Sequence, residues 1–307
     1  MISIVIPLYN KEKQIVAALQ KVFEQTYQDF EVIIVDDGST DGSISEVNKF
    51  SDSRVRLISQ ENAGVSMARN KGIENAKGKY IAFLDADDEW DSQYLEEQIN
   101  LINRYPQCDI FASNYIFKHL SGKYENTIIR GIPFDGENGI LSNYFQVASM
   151  SHPPLWTSAV VVSKKSIQDI GGFPKGIKSG EDILTWARLS CKYKIAFSKK
   201  ILATYNLGEG YDFRNPPPRK QDEGDPVGKG LKELYGNNKT KSLKRYISLW
   251  HKMRASVAIR YGCCFETIQE GFKSLRYYPL NFKVIPLIIL VFIPSCLRNA
   301  LIGYAKR

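Results

Sequence analysis

Three groups of carboxylates in this 307-residue chain have the residue types and spacing to do chemistry. Asp85-Ala86-Asp87 sets two acids at alternate positions, with Asp88 directly after them. Acids this close cannot be buried without donors or a cation. An oxygen-only pair selects Mg²⁺ or Mn²⁺, which binds through one or two carboxylates and completes its shell with substrate phosphates. The pair therefore points to a diphosphate ligand. The alternative is a solvated acidic turn leading into the next helix, a role that also suits Asp88, Glu89 and Asp91. Asp36-Asp37-Gly38-Ser39-Thr40-Asp41-Gly42-Ser43 is equally two-sided. It reads as a tight turn with polar caps, or as a loop that leaves one acid to accept from a base N–H or a ribose hydroxyl. Asp182 follows a glycine-containing loop and opens a helix, where the dipole favours an ionised carboxylate; by itself it reads either as an N-cap or as a general base. Neither a Walker-type lysine loop nor GxGxxG is present, so no P-loop or dinucleotide fingerprint explains nucleotide binding.

The segments that carry these acids alternate between two periods. Ile2 to Leu8 is an apolar run of strand length, and Asn10 offers an N-cap to a segment with Ile15, Leu19, Val22 and Phe23 on one helical face. Strands are expected over 31–35, 54–59 and 79–84, and helices over 41–50, 64–76 and 92–104, the last capped by Asp91. Such alternation implies an α/β fold with a mostly parallel sheet covered on both faces. Ligands of open sheets sit outside the carboxyl ends of the strands. Tyr9-Asn10, Asp36-Asp37 and Asp85 to Asp88 all fall there.

The composition, 43% hydrophobic and 24% charged, excludes wholesale disorder, collagen and coiled coil. Five scattered cysteines form neither a disulfide framework nor a zinc pattern, which fits a reducing compartment. The N-terminal run lacks a basic region and is broken by Pro7, so it reads as a buried strand and not a signal peptide. Charge is unevenly spread. Residues 1–212 carry 23 basic and 27 acidic side chains, and residues 213–307 carry 18 and 6. The organisation expected is one domain over 1–212, with 1–110 a nucleotide-domain candidate and 111–212 completing it. A proline- and glycine-rich hinge over 213–230 follows, then a basic helical extension over 231–307. Within the extension, residues 284–297 are uncharged but contain two prolines. About 20 apolar residues are needed to span a bilayer. An interfacial or re-entrant segment held by anionic head groups fits better than a buried helix or a span.

The blocks Ile4-Val5-Ile6-Pro7-Leu8-Tyr9-Asn10, Val35-Asp36-Asp37-Gly38-Ser39-Thr40-Asp41, Asn62-Ala63-Gly64-Val65-Ser66-Met67-Ala68-Arg69-Asn70, Tyr80 to Asp88 and Gly180-Glu181-Asp182, in that order, resemble a family-2 glycosyltransferase with the Rossmann-like GT-A fold. The resemblance covers about residues 1–190, and it implies that 1–212 is the catalytic domain, with 1–110 binding the nucleotide sugar and 111–212 on the acceptor side. It implies that Pro7 and Tyr9 line the base pocket, with Tyr9 on a uracil-like ring, and that Asp37 hydrogen-bonds the base. It further implies that Arg69 sits beside the nucleotide and steadies the acidic pair, that Asp85 faces the ribose, and that Asp87 binds Mn²⁺ or Mg²⁺ bridging the diphosphate. Asp182 would be the general base of a single, inverting displacement. Trp186 is expected in the core, the His152 to Trp156 segment is a candidate acceptor wall, and Arg214 or Arg219 could close over the diphosphate.

These implications add up to a metal-assisted transfer from a nucleotide-sugar donor, most simply a UDP-sugar, to a lipid-linked or cell-surface glycan. The expected setting is peripheral, at the cytoplasmic face of the plasma membrane. The other readings are a polyprenyl-phosphate sugar synthase, for which clearer spans would be expected, and a non-catalytic membrane-docking module. Nucleic-acid binding through the basic region is not expected, because its helices lack a recognisable motif and run into apolar sequence.

Overall fold

The structure, a computed structural model, describes residues 1–208, 217, 221–294, 297, 298 and 301. In chain order the first half contains β1 (Ile2–Leu8), α1 (Ile15–Phe23), β2 (Phe30–Asp36), α2 (Ser43–Asn48), β3 (Val55–Ser59), α3 (Val65–Asn75), β4 (Tyr80–Phe83), β5 (Glu89–Trp90) and α4 (Tyr94–Arg104). The second half contains β6 (Ile110–Lys118), β7 (Tyr124–Asn126), β8 (Asn138–Ile140), α5 (Tyr144–Ala148), β9 (Val160–Ser163), α6 (Lys164–Asp169), α7 (Glu181–Lys192) and β10 (Ile195–Asn206). Four helices close the chain: α8 (Pro226–Asn237), α9 (Lys241–Arg260), α10 (Cys264–Tyr277) and α11 (Ile285–Leu290).

Among the described residues, ten strands form one sheet with the backbone order β3-β2-β1-β4-β9-β6-β10-β5. The first four are parallel; β9 runs antiparallel to both β4 and β6, and β6 and β10 are parallel again. Side-chain alternation explains the continuous apolar runs. On β1, Ile2, Ile4, Ile6 and Leu8 enter one core with Ile15, Leu19 and Val22 of α1, and Val5 enters the other with Ala68 and Ile73 of α3. A strand covered on both faces has no polar side to show. The approach of α3 is close enough that a side chain at Gly72 would collide with Val5.

Two sequence expectations give way here. Asn10 does not cap α1, which begins at Ile15 without a side-chain cap. Asn10 instead adopts φ +51° and its Oδ1 accepts from the Thr40 amide at 2.8 Å, so it ties the β1 loop to the β2 loop. Short polar asparagine tolerates this left-handed conformation better than most residues. The expected hinge over 213–230 also ends early, because Asp225 caps α8 through the Gly228 amide and Pro226 starts the helix. Fixed proline φ suits that first position. Val227 and Leu231 of α8, with Leu243, Tyr246, Ile247 and Trp250 of α9, then join the same core as β4, β6 and β9. Burial of each such side chain contributes about 1.5–3 kcal/mol. These helices therefore pack as part of the same body as the sheet. Among the described residues no helix is long and apolar enough to cross a membrane.

Candidate active site

The parallel half delivers its polar residues to one edge, as the strand directions require. The loop after β1 is stitched to the loop after β2: Asn10 N–H donates to Ser39 Oγ (3.1 Å), Lys11 N–H to Ser43 Oγ (2.8 Å) and Glu12 N–H to Asp41 Oδ2 (3.1 Å). Tyr9, on this loop, is 48% exposed and leaves its ring available for stacking. Pro7 lies one strand residue before Leu8, in register with Val35.

Asp37 sits at 4% exposure, and its carboxylate already holds a loop. Oδ1 accepts from Gln60 Nε2 (2.7 Å) and the Ala63 amide (2.9 Å), and Oδ2 from the Gly64 amide (2.8 Å). A carboxylate offers about four acceptor positions, so Asp37 acts first as the anchor that shapes the 60–64 loop leading into α3. The sequence treated it as an open acceptor because its loop partners lie more than 20 residues away.

Arg69 is the centre of the site. It is 3% exposed on α3, with its guanidinium 5.0 Å from the Phe173 ring centre. One nitrogen donates to Asp85 Oδ1 at 2.7 Å and another to Glu181 Oε1 at 3.2 Å. Burial works against its charge, but the two carboxylates outweigh that cost and strengthen the cation. This fork ties the loop after β4 to the first turn of α7, with Arg69 and Glu181 112 residues apart in the sequence. Glu181 was given no role by the sequence, and an acid one residue before the candidate base carried no signal of its own.

Asp182 follows at the second position of α7. Gly180 precedes the pair at φ +85°, and a side chain there would meet the Trp250 ring at 2.7 Å. Burial raises the Asp182 carboxyl above the ordinary aspartate range, while Arg69 and the Ile183 amide pull it back. The Ile183 N–H donates to Oδ1 at 2.7 Å. The hydroxyls of Tyr144 and Tyr246, 3.3 Å apart, are close enough to Asp182 to feel its charge. Tyr246 comes from α9, so the basic extension helps to wall the site.

Asp87 is half-exposed, and its Oδ2 accepts from Lys11 Nζ at 2.6 Å. Its neighbour Asp88 is buried. Burial, then the charges of Asp85 and Asp87, raise the Asp88 carboxyl well above the ordinary range. Asp88 accepts from Ser158 Oγ (2.6 Å) and the Asn206 amide (3.2 Å), and Asn206 Nδ2 donates to the Asp87 carbonyl (2.7 Å). These bonds lock the acidic turn to β10 and to the segment before β9. Trp156 stacks on Tyr205 (5.0 Å between centres) and packs against Tyr115 (4.8 Å), while Trp186 is buried between Phe83 and Phe173. Arg214 and Arg219 lie outside the described residues.

A second acid cluster lies among the C-terminal helices, where ligand atoms of Asp225, His251 and Glu270 fall within 4.8 Å of one another. Its acids are already bonded to protein donors. Asp225 Oδ1 accepts from Gly228 N–H and Trp250 Nε1, both at 2.9 Å; Glu270 pairs with His251 Nδ1 and Lys273 Nζ, both at 2.7 Å.

Residues 3–164 match the family model described as glycosyl transferase family 2. The chain belongs to that family. It is 31% identical over 209 residues to WfaP of Escherichia coli, described as a UDP-Glc:alpha-D-GlcNAc-diphosphoundecaprenol beta-1,3-glucosyltransferase. That match covers 67% of this chain and 76% of WfaP. Other curated relatives are longer, and the chain spans about a third of their length. In fold it is similar to S. aureus TarS 1-349 in complex with UDP-GlcNAc, with a TM-score of 0.69 at 17% identity, covering 99% of this chain and 88% of that one. It is also similar to the mannosyltransferase PcManGT of Pyrobaculum calidifontis in complex with GDP-Man and Mn²⁺, with a TM-score of 0.58 at 15% identity over 100% and 87% of the two chains.

Proposed function

We propose that this family-2 chain is an inverting glycosyltransferase that moves a sugar from a nucleoside diphosphate donor, a UDP-sugar, to a hydroxyl of a lipid-linked or cell-surface glycan. The observation that carries the reading is the Arg69 fork, which joins the Asp85 loop to the α7 turn bearing Asp182. The donor and acceptor in WfaP's description and the UDP-GlcNAc bound to TarS support the donor and acceptor classes.

On this reading Tyr9 takes the base on its exposed face, Asp37 keeps the 60–64 loop in shape beside it, and Asp85 turns its remaining oxygen to the ribose. The oxygen donors of Asp85 and Asp87 at a half-exposed strand end suit a hard divalent cation. Asp87 would hold Mn²⁺ or Mg²⁺ there, and such an ion, when bound, neutralises charge on the departing diphosphate. Asp182 takes the proton from the attacking hydroxyl. Its raised pKa makes it a better proton acceptor than an ordinary aspartate. Attack on the face opposite the leaving group converts an α-linked donor into a β-linked product.

The C-terminal helices complete the reading as a peripheral contact with an anionic membrane at its cytoplasmic face. Phe265, Phe272, Phe282, Ile289 and Phe292 are exposed, and Arg276 and Lys283 lie along the same stretch. Apolar side chains beside basic ones match an interfacial surface.

A panel of UDP- and GDP-sugars with Mn²⁺ or Mg²⁺, with and without a polyprenyl-diphosphate-linked sugar, tests the function through nucleotide release. Metal-dependent UDP release that requires the acceptor is expected. Silence across the whole panel would contradict the proposal.

A further inference from the structure

The half-exposed Lys11 side chain occupies an unusual place. Its ammonium lies 2.6 Å from Asp87 Oδ2, the carboxylate assigned above to the metal. Surface lysines commonly wander, but the backbone that carries this one is fixed. Asn10 turns the chain at φ +51°, its amide donates to Ser39 Oγ, its side chain takes the Thr40 amide, and the Lys11 amide donates to Ser43 Oγ at 2.8 Å. The next residue is tied in turn, with Glu12 N–H on Asp41 Oδ2 and Glu12 Oε2 accepting from the Gly42 amide at 3.0 Å. Lys11 thus leaves a loop sewn to the β2 loop and reaches across to the β4 loop. Asp85 has its cation in Arg69, held in the core, whereas Asp87 has its cation on a flexible stem.

We propose that Lys11 is a tethered counter-ion for Asp87 that a divalent cation must displace, so that metal and nucleotide bind as a coupled pair. The proposal rests on the metal role given to Asp87 above. In the donor-free protein the ammonium holds an oxygen that the metal needs, and metal affinity is reduced by the strength of that contact. A diphosphate entering the site offers the displaced ammonium a new anionic partner. The nucleotide then favours release of Lys11 from Asp87, and by reciprocity the metal favours binding of the nucleotide.

A half-exposed ion pair contributes about 0.2–1 kcal/mol, which sets the expected change at roughly 1.4- to 5-fold. The test is a Mn²⁺ titration followed by electron paramagnetic resonance of the free ion, without and with UDP, on the full chain. Lys11→Gln is compared with wild type and with Lys13→Gln, an exposed lysine two residues on that removes the same charge without touching Asp87. Circular dichroism melts confirm that all three proteins are folded. Lys11→Gln is expected to tighten Mn²⁺ binding without UDP by up to about 5-fold and to shrink the gain that UDP produces. Lys13→Gln should behave as wild type. Equal Mn²⁺ affinity in wild type and Lys11→Gln, or equal tightening in both variants, would overturn the counter-ion while leaving Asp87 as the metal ligand. Failure of every protein to bind Mn²⁺ even with UDP would overturn the metal assignment and this proposal together.

Discussion

Two clusters of charge in this molecule contain similar residues and differ in what their acids have left to offer. In the C-terminal helices, Asp225, His251, Arg254, Glu266 and Glu270 close on one another: Arg254 donates to Glu266 at 3.0 Å, and the two oxygens of Glu270 meet His251 Nδ1 and Lys273 Nζ. At the strand ends, Asp85 and Asp87 are each about a third exposed on their side chains and face an open edge. A buried acid surrounded by donors fastens helices together. An acid with spare acceptor capacity at an open edge can take a ligand. The roll of residue types does not separate the two; the satisfaction of each oxygen does.

The sharpest way to break this comparison is to remove the candidate base. Asp182→Asn should lower transfer by about 10²- to 10⁴-fold with the UDP-sugar affinity retained, as measured by turnover and calorimetry on one preparation. If donor binding disappears instead, Asp182 belongs with the structural acids. Glu270→Ala should do the opposite. It strands His251 and Arg254 among buried neighbours, and loss of one partner from such a network costs about 3–5 kcal/mol, read from urea unfolding, while folded protein keeps its donor affinity. Glu181→Gln lies between them. It removes one arm of the Arg69 fork, with a stability loss of about 1–3 kcal/mol and a fall in turnover larger than any change in donor affinity.

Acid pH separates the clusters without mutation. Burial outweighed by His251 and Lys273 lowers Glu270 from 4.5 to about 2. A depressed folded-state pKa means that its stabilisation is complete above about pH 4.5 and is lost as pH falls toward about 2. Asp182 shifts the other way, so it is protonated at less acidic pH than an ordinary aspartate. Turnover should therefore fail on acidification before that part of the fold does. Initial rates and urea midpoints measured on the same pH series check the order, and coincident loss would contradict it.

Much of this was legible in the sequence because burial writes itself plainly. The runs of β1 and β2 are apolar on both faces, so they could only be covered strands, and the polar residues just after them had to emerge at one edge. The pairings inside the site left less trace. Arg69 and Glu181 are separated by 112 residues, and nothing in either segment names the other. Asp37 looks open in sequence because its donors, the Gln60 side chain and two backbone amides, belong to a distant loop. Asn10 has the composition of a cap, but its loop contacts hold it in a turn. The basic surface of α9 masked its apolar stripe, Leu243, Tyr246, Ile247 and Trp250, and so hid the helix's place in the catalytic core.

A structure determined with UDP and Mn²⁺ tests the central claim most directly, because it lets the ion choose between the two clusters. Uracil is expected against Tyr9 and Mn²⁺ on Asp87, with Lys11 moved off that carboxylate and the Arg69 fork intact. Mn²⁺ seated between Asp225 and Glu270, or UDP bound away from the strand ends, would contradict it.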